Sequence, residues 1–136
     1  MSKSNTTEND LMKLILNATA LPWAAAANLY VALHTADPGE GGDQTTNECA
    51  YTGYARESVS RDGAGWTVTG NQGENTAEIT FGECTAGTET ATHASVGLAV
   101  SGASQILYSG ALTDALNISN LITPRFPVGT LVMQED

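Results

Sequence analysis

Few side chains in this sequence are able to do chemistry, and they are scattered. The candidates are two histidines (His34, His93), two cysteines (Cys49, Cys84) and four acids on one Gly-rich stretch (Asp37, Glu40, Asp43, Glu48). A serine nucleophile needs a strained turn beside a base, and no G-x-S-x-G elbow occurs. Both histidines fall inside predicted strands on the less apolar face. A packed or surface role is the expectation there, rather than general-base work. Zinc would need closely spaced ligand pairs, and neither C-x-x-C nor H-x-x-x-H is present. The four acids offer oxygen atoms for Ca²⁺, but without the alternation and fixed Gly of an EF-hand loop. Gly63-Ala64-Gly65 lacks the strand-to-helix setting of a phosphate loop. The expectation is therefore no catalytic residue, no cofactor, no metal site and no enzyme.

The elements around these residues read mostly as short strands. Residues from about Thr7 to Ala18 predict one short helix, with Leu11, Leu14, Ile15 and Ala18 on a single stripe. Met12 and Leu16 widen its apolar surface. Asn5 or Thr6 is the expected cap, and Glu8 and Asp10 suit the first turn. A helix this short needs a surface to dock on. Its own domain and a neighbouring subunit are both open, with local packing expected. Leu21–Ala27 is a connector, in which Pro22 stops the helix and Trp23 is either an internal anchor or an interface residue.

From Asn28 the period switches to two. Leu29, Val31 and Leu33 face one side and Tyr30, Ala32 and His34 the other, as in a central strand. Residues 36–50 form a long loop, a length that is often functional. Strands are predicted over 54–61, 66–70, 77–81, 92–100, 106–112, 117–122 and 130–134. Residues 71–75 and 82–89 read as loops, and Pro124 and Pro127 belong at an edge. The whole predicts a mainly β fold, an antiparallel β-sandwich or small barrel of about eight short strands. Residues 1–27 would be an arm with the helix, and 28–136 a single β domain.

Composition limits the partners. Of 136 residues, 41% are hydrophobic and only 15% charged, so much of the surface is small and neutral, which suits packing against other proteins. The net charge of −10 opposes binding to a phosphate backbone or an anionic leaflet. The five bases form no patch in sequence. With no leader read at the start, the two cysteines are expected as reduced thiols.

Several stretches resemble a family of small tailed-bacteriophage virion proteins. They are Leu29-Tyr30-Val31-Ala32-Leu33-His34-Thr35-Ala36-Asp37-Pro38-Gly39, Tyr54-Ala55-Arg56, Ile79-Thr80-Phe81, Ile106–Leu112, and the ending from Thr123-Pro124-Arg125-Phe126 to Glu135-Asp136. The resemblance spans nearly the whole chain and implies a virion structural protein. Members carry the labels head decoration protein and tail fibre protein, and the family offers no catalytic residue to carry over. The leading expectation is a capsid decoration (cement) protein on the capsid exterior, assembled in the host cytoplasm. It would bind the major capsid protein between capsomers and bind itself as a dimer or trimer, with no nucleic acid and no membrane. The alternative is a tail component, either tube-associated or a tail fibre protein. Leu11, Leu14, Ile15, Trp23, Pro38 and Tyr51 are the interface candidates.

Overall fold

The computed structural model describes all 136 residues. It is mainly β, with one helix and nine strands. The helix α1 is Asn5–Asn17, and the strands are β1 Asn28–His34, β2 Glu57–Ser60, β3 Trp66–Thr69, β4 Gln72–Asn75, β5 Ile79–Thr80, β6 Glu89–Gly97, β7 Ile106–Ile118, β8 Arg125–Phe126 and β9 Val132–Gln134. They form three antiparallel sheets, ordered β2-β1-β6-β7, β3-β4-β9 and β5-β8.

β1 is central, as its two apolar faces require. It pairs Leu29 with Val59 on one side and Leu33 with Ala94 on the other. One continuous core joins the three sheets: Val31, Leu33, Ala94, Val96 and Ile118 from the largest, Met133 from the second, and Ile79 and Phe126 from the third. Phe81 is nearly stacked with Tyr54, ring centroids 6.3 Å apart, and meets Phe126 edge-on at 6.1 Å.

Several boundaries differ from the sequence expectation. Ser4, not Asn5 or Thr6, caps α1; its Oγ accepts from Thr7 N at 3.3 Å. Residues 72–75, read as loop, are a paired strand. Their side chains have little β preference, but β3 and β9 flank them in register, and ladder bonds override propensity. The link from β3 is a two-residue turn over Gly70 and Asn71. Gly70 has a φ of 62°, which the first position of a type II′ hairpin turn demands. Residues 117–118 belong to a long β7, and 119–122 turn away from it. Leu98 and Val100 lie beyond the end of β6.

The helix sits on the sheet in an unusual way. Ser4 Oγ and Thr7 Oγ1 both donate to the carbonyl of Ile106, at 2.5 and 2.8 Å. Gln105 Nε2 donates to Thr7 Oγ1 and Asp10 Oδ2. Thr7 is the buried residue of α1, and its long apolar side chains are not in the core. Upstream, Ser2 bridges to Ser109 of β7 through two backbone bonds of 2.8 Å.

Candidate functional site

The closest approach to catalytic geometry is a pair that no local spacing revealed. β1 and β6 pair antiparallel, which brings the last side chain of β1, His34, beside Ser95. His34 Nε2 lies 2.8 Å from Ser95 Oγ, and His34 Nδ1 lies 2.8 Å from the Thr46 carbonyl. A carbonyl only accepts, so Nδ1 carries the proton and Nε2 is left to accept from the Ser95 hydroxyl. Gln44 Nε2 then donates to Ser95 Oγ at 3.2 Å and to the Tyr30 carbonyl at 2.9 Å.

This is the tautomer a serine nucleophile would want. Yet His34, Ser95 and Gln44 are all fully buried, and none of them lines a groove. Burial holds the His34 pKa below the ordinary imidazole value, with Arg56 and His93 adding to that effect. The Thr46 contact and the Glu48 charge oppose it. A neutral, sealed Ser–His–Gln network fixes the loop to the sheet; no substrate reaches it in this conformation.

The loop over 36–50 is held down at many points. Arg56 grips Glu48 through two bonds, Nε to Oε1 at 2.7 Å and Nη2 to Oε2 at 2.8 Å. Arg56 also donates to the carbonyls of Ala99 and Gly102. Tyr54 OH donates to Glu48 Oε1 and accepts from Leu33 N. The Tyr54-Ala55-Arg56 motif is thus a clasp on Glu48. Asp37 Oδ1 accepts from Gly39 N, and Asp43 Oδ1 from Thr45 N and Oγ1, which depresses the Asp43 pKa. Three of the four loop acids are therefore occupied with the chain itself. No three His, Cys, Asp or Glu side chains converge to hold a metal.

Cys49 and Cys84 are buried free thiols. Burial pushes the Cys49 thiol up to about 12, with Glu89 and Glu48 nearby adding to it, so its reactive thiolate is suppressed.

The interface candidates separate into two groups. Pro38 and Tyr51 are buried within the chain, and Tyr51 OH donates to the Gly82 carbonyl. They build the fold and present no free surface. Trp23 is half-buried; its Nε1 donates to Asp10 Oδ2 and its ring packs under Arg61, 5.1 Å from the guanidinium. That tethers the connector to the helix. Leu11 is half-buried, whereas Leu14 and Ile15 face solvent together with Met12 and Leu16. Part of the apolar surface expected from the sequence therefore points outward.

A groove of about 560 Å³ lies between β3, β7 and β9, floored by Trp66, Tyr108 and Met133. Lys3 and Tyr108 both bond the Glu135 carboxylate at its end, which lowers the Glu135 pKa and closes the C-terminal strand onto the N-terminus.

The family model described as "Podophage GP4 fiber I protein gp80" matches residues 2–134. A search of curated proteins finds no match.

Proposed function

The chain belongs to the podophage GP4 fiber I protein gp80 family and is a phage virion structural protein; from that premise we propose that it serves as a tail-fibre component. The near full-length match to a fibre protein carries this reading. It replaces the outer-shell position between copies of the major capsid protein, because the matched family is named for a fibre.

The surface chemistry fits a part that works by contact. Lys3, Arg56 and Arg125 pair with Glu135, Glu48 and Glu78, and Arg61 is spent on the carbonyls of Trp23, Ala24 and Ala26. With a net charge of −10, no basic face remains for nucleic acid. No helix is long and apolar enough to cross a membrane. The one Ser–His pair is sealed, which supports a role without turnover. The partners proposed are further copies of this chain and the neighbouring tail proteins.

The test is to insert a short epitope at the exposed Gly63-Ala64 turn, assemble particles, and image gold-labelled antibody. Label confined to the tail supports the reading. Label spread over the head would refute it and restore the decoration role.

A further inference from the structure

The helix α1 leaves large apolar side chains on its outer face. Its polar side chains Thr7 and Asp10 bond inward to the sheet, through Ile106 and Gln105, while Met12, Ile15 and Leu16 are 59%, 77% and 72% exposed. A surface helix ordinarily turns its apolar stripe to the core. Here Met12 and Leu16 lie on the side of the helix away from Thr7, whereas Leu11 and Leu14, four and seven residues on from Thr7, share its sheet-facing side.

That outward face has a pattern of its own. Asn9, Met12 and Leu16 follow the alternating three- and four-residue spacing of a helix–helix seam, with Asn9 and Leu16 at the a positions and Met12 at d. The same register places Glu8 and Ile15 on one flank and Lys13 on the other. In a parallel pair of helices, a g side chain meets the e′ side chain five residues further along the partner. Glu8 and Lys13 are five residues apart and opposite in charge, so the seam is complementary to itself. An Asn at a single a position also fixes register between identical helices.

The charges agree with this arrangement. Neither Glu8 nor Lys13 makes a side-chain hydrogen bond or salt bridge within its own chain, whereas every other base is engaged there. Lys13 is the free cation of an acidic molecule, and it sits beside the exposed apolar stripe.

We propose that α1 is a self-association element: copies of this chain bring their helices together in parallel about a symmetry axis, packing Met12 and Leu16 with Glu8 against Lys13 of the neighbouring copy. The occupant of the exposed face is a second copy of the same helix. At 13 residues the helix would be marginal alone, but the sheet already holds it folded, so association need not meet the cost of forming it. The inference rests on the fibre reading for its place in the particle. Its test reads mass in solution, so failure of one does not mimic failure of the other.

The experiment measures the mass of the full chain by light scattering or sedimentation over a concentration series. Wild type is expected as a multimer. The Met12→Glu/Leu16→Glu double variant is expected as a single chain with an unchanged far-UV spectrum, because both side chains are exposed in the single chain, and its melting temperature should no longer depend on concentration. Lys13→Glu should raise the concentration for half-assembly roughly two- to five-fold. Glu8→Lys combined with Lys13→Glu should restore wild-type assembly. A wild-type chain that stays monomeric, or a double variant that keeps the wild-type mass, overturns the proposal. Failure of the charge reversal to rescue Lys13→Glu overturns the parallel register.

Discussion

Replacing Arg56 with Met should be among the most damaging single changes in the molecule. The Arg56 side chain is 2% exposed and its Glu48 partner 17%. The guanidinium makes two bonds to that carboxylate and two to the carbonyls of Ala99 and Gly102, tying the 36–50 loop to the β6–β7 hairpin. Removing one partner of a buried pair costs roughly 3–5 kcal/mol, because the other charge is left without compensation. Glu48 keeps the Tyr54 hydroxyl and some solvent, so the lower end applies, about 3 kcal/mol. With an unfolding entropy of about 2.1 cal/mol/K per residue, a chain of 136 residues should lose about 10 °C in melting temperature. Calorimetry or circular dichroism measures this directly. The Arg56→Met/Glu48→Gln double variant should melt higher than Arg56→Met, since the orphaned charge is gone. A fall of less than about 3 °C in the single variant, or a double variant that loses more than the single, would refute the clasp argument.

Two further outcomes follow from buried groups. His34 is held neutral when folded, with its pKa below the unfolded value of about 6.5. Its contribution to stability is therefore complete above that pH and is lost as the pH falls, because the unfolded chain takes up the proton. Stability should fall as the pH drops below 6.5, and His34→Gln should remove that part of the pH dependence of the melting temperature; an equal dependence in both proteins would contradict it. The buried thiols make the other case. Cys49 and Cys84 should resist a thiol reagent at pH 8 in the folded chain and both react once it is denatured; rapid labelling of the native protein would contradict their placement.

Strand-period reading found β1, β3, β6 and the start of β7, because each alternates apolar and polar side chains along a half-buried or central strand. It missed β4, whose Gln-Gly-Glu-Asn run carries no apolar period. The Gly70-Asn71 turn signal was the available clue. The helix was legible as an amphipathic element, but the polar contacts that seat it were not. Which face meets the sheet depends on Ser4 and Thr7 reaching the Ile106 carbonyl, a contact across about a hundred residues of sequence. The same holds for the Ser95–His34 pair, which only antiparallel pairing of β1 with β6 creates. Pro38 and Tyr51 read in the sequence as interface candidates at the long loop, and both are buried within the chain. Tyr51 is fixed by Glu89, whose carboxylate accepts from Ala50 N and Tyr51 N, and by its own hydroxyl bond to the Gly82 carbonyl, contacts made across some thirty or more residues of sequence. Of the motif residues of the resemblance, His34, Tyr54 and Arg56 fasten this loop.

The account stands most directly on where the chain sits in the assembled particle. A cryo-EM reconstruction of the whole virion into which this fold is docked should place its copies in tail fibres, with α1 against α1 of the adjacent copy. Density for the fold on the outer shell between capsomers, and none in the tail, would contradict it.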